Sequence, residues 1–148
     1  MRPLLRKLRS LPAADRRLLV RAAAAVAGFR LALWLLPFRI VARIRPSPGP
    51  GAPGPGDPAP ERIAGYVRAA GRRVPRASCL TRALAARWLL ERAGHAPTLH
   101  FGWRKEADGS FHAHAWLESG ARVLLGGEED LTLYQRFPAR LPGRRQAT

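Results

Sequence analysis

One cysteine and two closely spaced histidines carry the chemistry that this sequence can offer. Cys79 directly follows Ser78 at the start of an apolar helical pattern, and His112 and His114 lie two residues apart in the stretch FHAHAWLE. At the first position of a helix, unpaired backbone N–H groups and the positive end of the helix dipole favour a thiolate over a thiol. A nearby imidazole can accept the thiol proton and later return it to a leaving group. These residue types therefore indicate nucleophilic catalysis by a thiol.

Two other interpretations of the histidines stay open. A His-x-His pair on a strand can present two nitrogens to zinc, with Cys79, His95 or His100 as a further ligand. His95 follows Gly94 in a helix-ending turn and His100 falls on another strand, so spacing fixes no third ligand. A histidine that is satisfied inside a sheet and does no chemistry is the remaining interpretation. We expect neither a metal nor a cofactor.

The elements that must position these residues follow from hydrophobic periodicity. Residues 61–74 place apolar side chains at helical spacing, and a second helical pattern begins at the N-cap Ser78 and ends at Gly94. The period then changes to two, because TLHFGW, SFHAHAWLE and ARVLL alternate and are separated by the turns EADGS and SG. This order predicts an α+β fold, in which helices pack on a three-stranded antiparallel meander.

Alternation along the second strand divides its side chains between two faces. One face takes Phe111, Ala113, Ala115 and Leu117, and the other takes His112, His114, Trp116 and Glu118. We expect the helix that begins at Cys79 to cover the histidine face, which would bring the thiol within reach of an imidazole. Trp116 is expected to fill core space there, and Glu118 to contact an arginine.

The first 45 residues form a basic and apolar helical region in this interpretation. Ser10 and Pro12 supply start signals before ADRRLLVRAAAAVAGFRLALWLL, and Pro37 marks the stop. Arg30 divides the apolar stretch into two runs of eight residues, where a membrane span needs roughly 18 in one run. No cleavage site typical of a secretory signal follows. The helix is expected either to dock on the core or to bind a membrane surface or a partner.

The domain organisation follows from composition. Residues 46–60 contain seven prolines and four glycines, which predicts an extended and partly stiff linker. We expect a helical region over residues 1–45, tethered through this linker to a compact domain over residues 61–142, and a basic tail over residues 143–148. A chain of 148 residues is enough for one small domain with a single core.

Charge and cysteine content narrow the partners and the compartment. The formal net charge is +16, from 26 basic and 10 acidic residues, which favours nucleic acid, an acidic membrane leaflet or acidic peptides as partners. No nucleic-acid motif is present and aromatic residues are not interleaved with basic patches, so no specific nucleic acid is expected. The lone thiol of Cys79 cannot form an intramolecular disulfide, which favours a reducing, cytoplasmic location.

The chain from Val74 to Phe137 resembles a known family. SCLTRALAARWLLERAGHAPTLHFGWRKEADGSFHAHAWLE is similar to the catalytic stretch of the lasso peptide biosynthesis B proteins, which process the leaders of microcin-type precursors. The similar features are a Cys-Leu pair that opens a helix, a Gly-x-Arg/Lys segment on the next strand, and an A-H-A-W-x-E strand. The resemblance implies a transglutaminase-like, papain-related core of helices packed on a small antiparallel sheet.

The resemblance also implies roles for individual residues. Cys79 would be the nucleophile and His114 the base, since His114 occupies the A-H-A-W position. A third residue, usually aspartate, is implied about a dozen positions after the histidine, where this chain has Leu-Gly-Gly at 125–127. The acidic residues 128–130 lie just beyond, and we choose Asp130 as the residue that orients His114.

The function that the resemblance implies is a cysteine peptidase that removes the leader from a ribosomally made precursor peptide. Only 60 residues precede the peptidase stretch, which is typical of the stand-alone form and implies a separate leader-recognition protein, with a lasso cyclase as a further candidate partner. Two alternatives stay open. One is an acyltransferase of the same fold, in which an amine replaces water. The other is a basic protein that binds nucleic acid or a membrane on an inactive peptidase-like scaffold.

Overall fold

The computed structural model describes residues 10–47 and 51–137. Within these ranges the elements are α1 (Ala13–Leu35), α2 (Phe38–Val41), α3 (Pro60–Gly71), α4 (Cys79–Arg92), β1 (Thr98–Lys105), β2 (Phe111–Ser119), β3 (Arg122–Leu125) and β4 (Gln135–Arg136), with a 3-10 turn at Leu131–Leu133. The strands form one antiparallel sheet in the order β3-β2-β1-β4. The predicted α+β class and the three-stranded meander are confirmed. The two-residue strand β4 is too short to show an alternating pattern.

The helix that begins at Cys79 starts and ends where its sequence signals predict. Oγ of Ser78 accepts a hydrogen bond from the backbone N–H of Thr81 at 3.2 Å, so Ser78 is the N-cap and Cys79 is the first helical residue. At the other end Gly94 has a φ of +83°, a left-handed conformation that ends the helix. A side chain at Gly94 would also collide with the backbone of Gly51. Glycine is therefore required there for two separate reasons.

The N-terminal helix is part of the core. α1 packs against both α3 and α4, and its residues Ala22 and Val26 are fully buried. Asp15, near the start of α1, forms an ion pair with Arg62 of α3. Of the two roles expected for this helix, docking on the core is the one that the structure shows.

The described part of the Pro/Gly-rich segment packs onto the end of α4. Nε2 of His95 lies 3.2 Å from the carbonyl oxygen of Pro58. Gly51 contacts Gly94, and Arg45, just before the segment, pairs with Glu91 of α4. The connection between α1 and α3 is thus held in place at several points.

The helices cover the face of the sheet opposite to the one that we expected. The strand residues that join the helical core are Leu99, Phe101, Ala115, Leu117, Leu124 and Leu125. Trp116 and His114 point the other way, and their rings stack with centroids 6.2 Å apart. The physical reason is that alanine, leucine and phenylalanine give a helix an apolar surface to bury, whereas the histidine face carries groups that need polar partners. The expectation that α4 would cover His114 is therefore wrong.

Two valines on opposite sides of α1 test whether this helix belongs to the core. We expect Val26→Ala to lower the free energy of unfolding by about 2 to 3 kcal/mol, because it leaves a cavity among fully buried side chains. The matched control is Val20→Ala on the same helix, where the side chain is 67% exposed, and we expect a change within about 0.5 kcal/mol. Urea unfolding of the three proteins measures both. Equal effects of the two substitutions would contradict the packing of α1 described above.

Candidate active site

His114 is buried and held from two sides. Its side chain is 5% exposed. Nε2 lies 2.8 Å from the carbonyl oxygen of Gly126, and since a carbonyl can only accept, Nε2 carries a proton and donates it to this bond. Nδ1 lies 3.5 Å from Oε1 of Glu129. Nδ1 is therefore the ring nitrogen that remains to take a further proton, and the neighbouring carboxylate would stabilise the imidazolium that results.

Gly126 stands 12 positions after His114, where the resemblance implied a third catalytic residue. Its φ is +85°, and a Cβ atom there would lie 2.7 Å from Cβ of Trp116 and 2.9 Å from the carbonyl oxygen of Ala115. No side chain fits at this position without a shift of the strand β2. At this position the backbone carbonyl of Gly126, and not a side chain, makes the hydrogen bond to the imidazole.

The carboxylate beside His114 belongs to Glu129, which Tyr134 holds in place. The hydroxyl of Tyr134 donates a hydrogen bond to Oε2 of Glu129. This bond lowers the pKa of Glu129, and although burial opposes the shift, the charges of His114, His112 and Arg104 lower the pKa further. Burial and the same hydrogen bond raise the pKa of Tyr134 to about 12. At neutral pH the phenol is thus a donor and the carboxylate is ionised.

Asp130, our choice from the sequence, is placed elsewhere. Its Oδ1 accepts hydrogen bonds from the backbone N–H of Thr132 at 3.0 Å and from the hydroxyl of Thr132 at 2.6 Å. Asp130 is therefore the cap of the short 3-10 turn. Spacing in the sequence narrowed the choice to residues 128–130. It could not select Glu129, because neighbouring side chains in a loop point in different directions.

Tyr134 reaches the imidazole because Gly102 has no side chain. A Cβ atom at Gly102 would lie 2.9 Å from Cζ3 of Trp116 and 3.0 Å from Cβ of Tyr134. The ring of Tyr134 has its centroid 5.4 Å from that of His114, so Tyr134 and Trp116 together shield one side of the imidazole from water. Tyr134 was missed in the sequence. A glycine inside an alternating strand is the signal that could have suggested a close approach at this point.

Cys79 lies on the helical side of the sheet. It is half-buried and packs at the rim of the core formed by the helices and the residues Ala115 and Leu117. Within residues 10–47 and 51–137, its Sγ forms no hydrogen bond. The thiol and the imidazole of His114 are therefore not paired in this structure.

The segment of residues 126–129 contacts His114 and also interacts electrostatically with α4. Burial raises the pKa of Glu128, but hydrogen bonds and the charges of nearby arginines lower it by more, so the net pKa lies below its usual value. One of these arginines is Arg82, in the first turn of α4. The next residue, Glu129, faces His114. The segment therefore lies between the imidazole and a charged side chain from the first turn of α4, three residues after Cys79.

His100 and His112 also lie beside carboxylates. Nε2 of His100 lies 3.0 Å from Oε2 of Glu118, and Nε2 of His112 lies 3.7 Å from Oε1 of Glu129. Among the residues that the structure describes, no three His, Cys, Asp or Glu side chains are placed to hold a metal ion. Arg136 donates to Oε1 of Glu118 at 2.9 Å, which confirms the expected arginine contact.

Residues 23–138 match the family described as the Transglutaminase-like superfamily. The match begins within α1, includes every later element, and spans well over half of the chain. The chain therefore belongs to the transglutaminase-like superfamily, and the fold expected from the sequence is confirmed. This superfamily includes cysteine peptidases and acyltransferases. No curated protein and no solved structure matches the chain.

Two glycines with left-handed backbones test the close approach at the site. We expect Gly126→Ala to lower the free energy of unfolding by about 3 kcal/mol, because strain from the positive φ adds to the collision with β2. The control, Gly120→Ala, has a φ of +59° and nothing within 4 Å of the added Cβ, so we expect a loss of about 1 kcal/mol from φ alone. Thermal or urea unfolding measures the difference. Equal losses would show that no close contact exists at Gly126.

The pH dependence of stability tests the environment of Glu129. Because its pKa is lowered below 4.5 in the folded protein, ionised Glu129 adds stability that is fully present above the unfolded value and is lost as the pH falls through the lowered value. Between about pH 5 and pH 3, we therefore expect the parent to lose more thermal stability than Glu129→Gln does. Melting temperatures across this range measure the effect. Parallel pH curves for the two proteins would contradict the assigned contacts.

Proposed function

We propose that the protein is a cysteine peptidase that removes the leader from a ribosomally made precursor peptide, with Cys79 as the nucleophile and His114 as the base. The observation that carries this proposal is the setting of His114: Nε2–H is fixed by Gly126 and Nδ1 lies beside the ionised carboxylate of Glu129. A histidine that only filled a sheet would need no carboxylate at its second nitrogen. Membership of the superfamily supports thiol chemistry, and the resemblance of the Cys-Leu and A-H-A-W segments supports a leader peptide as the substrate.

In the proposed reaction, Sγ of Cys79 attacks the carbonyl carbon of the scissile peptide bond. Nδ1 of His114 takes the thiol proton and passes it to the departing amine nitrogen, which leaves a thioester. Backbone N–H groups at the start of α4, including that of Cys79, donate to the oxyanion. Nδ1 then takes a proton from water as the water attacks the thioester, and the thiol is restored when the acid leaves. If an amine attacks instead of water, the same steps give acyl transfer.

The proposal requires one movement. Sγ of Cys79 and Nδ1 of His114 must move towards each other for the reaction, and we expect peptide binding to drive this movement. Catalytic hydrogen bonds are often long in enzymes without substrate and tighten only in the complex.

A non-catalytic scaffold is the second candidate, and one observation favours it. The helices cover the Ala115 and Leu117 face of the sheet, whereas His114 points to the other face. Such a protein would use its formal charge of +16 to bind an anionic partner. The two candidates differ in what they require of Cys79, because only the peptidase needs its thiol.

Within the peptidase proposal, the precursor peptide is the substrate, and a separate leader-recognition protein and a lasso cyclase are the partners. A cytoplasmic location follows from the same proposal, since the thiol of Cys79 must stay reduced to act.

Cleavage of a precursor peptide encoded beside this gene tests the proposal, with and without a leader-recognition partner. We expect Cys79→Ala and His114→Ala to lower the cleavage rate by about a thousandfold or more, because nucleophile and base act as a unit. The matched control is His95→Ala, a histidine that follows the other end of α4 and contacts Pro58, for which we expect a change of a few-fold at most. Product masses distinguish hydrolysis from acyl transfer. Cleavage by Cys79→Ala at the parent rate would refute the assignment.

A second experiment needs no substrate and asks whether the two positions can meet. Cys79 is the only cysteine, so His114→Cys creates a single pair that can oxidise to a disulfide once the Cα atoms come within about 7 Å. Ser119→Cys, at the far end of β2, is the control. We expect faster oxidation at position 114, read by mass spectrometry without reduction. If position 114 oxidises no faster than position 119, the scaffold candidate stands instead.

A further inference from the structure

The side of α1 that faces away from the core is apolar. Val20, Leu31 and Trp34 are 67%, 53% and 73% exposed. With Ala24 and Ala27 between them, they recur at alternating steps of four and three residues, which places all five on one side of the helix. The opposite side buries the core residues of α1. The helix therefore has two apolar sides, of which only one has a partner within the described residues.

Further large apolar side chains are exposed just past the outer side of α1 in the chain. They are Leu35, Leu36, Phe38 and Ile40, which are 62%, 42%, 39% and 51% exposed. Together with Val20, Ala24, Ala27, Leu31 and Trp34, they form what we call the outer face of α1 and α2. Large apolar side chains exposed side by side in this way mark interaction sites more often than ordinary surface.

The charged residues of α1 after Asp15, and those of α2, are all basic. Residues 16–56 contain no acidic residue. The basic residues among them are Arg16, Arg17, Arg21, Arg30, Arg39, Arg43 and Arg45. We propose that the outer face docks on a membrane surface rich in anionic lipid, with the apolar side chains in the interfacial region and the arginines at the headgroups. Exposed Trp34 suits this depth, because its ring is apolar while its N–H can still be hydrated.

Charge argues against the main alternative occupant, a second copy of the chain. Two copies meeting through this face would bring two sets of arginines together, each on a protein with a formal charge of +16. Anionic lipid instead gains from every arginine nearby. A nucleic acid would match the charge, but it would leave Leu31 and Trp34 exposed to water.

Packing argues that α1 lies along the membrane surface. By length and composition alone, α1 is long enough and apolar enough to cross a membrane, although Arg30 lies within it. However, Ala22 and Val26 are fully buried against the rest of the domain. Crossing the bilayer would remove α1 from that core, whereas lying in the interface uses only the side that is already free.

Vesicle co-sedimentation of the full chain tests this proposal. We expect binding to vesicles of phosphatidylcholine mixed with phosphatidylglycerol, little binding to phosphatidylcholine alone, and a loss of binding with added salt. The double substitution Leu31→Ser and Trp34→Ser should weaken binding at least about tenfold through lost apolar burial. Arg30→Gln or Arg39→Gln should each weaken it about fivefold. The matched control is Phe111→Ser, because Phe111 is 69% exposed on the sheet, and it should bind like the parent.

Other outcomes would overturn the proposal. Vesicle binding that survives the double substitution would show that charge alone acts. A concentration-dependent dimer that the double substitution abolishes would assign the face to a second copy. Tight binding to duplex DNA without vesicle binding would assign the charge to nucleic acid. Cys79→Ala should bind vesicles like the parent, so this test succeeds or fails independently of the proposed peptidase activity.

Discussion

The hydrogen bond from Nε2–H of His114 to the carbonyl of Gly126 is the interaction on which the site depends. A buried imidazole N–H without an acceptor would cost more free energy than most single contacts return. This bond orients the ring so that Nδ1 faces Glu129. The acceptor Gly126 has a left-handed backbone, and two residues later Glu128 accepts a hydrogen bond from Arg68 of α3. The loop that starts at Gly126 thus contacts the sheet through His114 and the helices through Arg68.

The site divides two tasks between two groups. A third catalytic residue normally both orients the imidazole and stabilises its charge. Here the carbonyl of Gly126 is neutral and can only orient, because the close approach of Trp116 leaves no room for a carboxylate at that position. The charge comes from Glu129 on the other side of the ring, and Tyr134 holds that carboxylate ionised. Gly126 therefore orients the imidazole, and Glu129 supplies the negative charge beside it.

The N-terminal helix shows how one element can have two roles. Its inner side is as much a part of the core as α3 and α4 are, which explains why the family match begins within this helix. Its outer side contributes nothing to that core. The apolar content of α1 is therefore higher than folding alone requires. The exposed apolar residues on its outer side are the ones that suggest a binding function.

The sequence by itself determined the local elements. Periodicity located α1, α3, α4 and the first three strands, and the Ser78 cap set Cys79 as the first residue of its helix, because these signals act within a few residues of the chain. Only the tertiary structure decided which face of the sheet the helices cover, that Glu129 and not Asp130 faces His114, and that Tyr134 completes the site. Those outcomes depend on contacts between distant segments and on the backbone direction at Gly126. Such contacts produce no periodic pattern of residue types, so the sequence could not predict them.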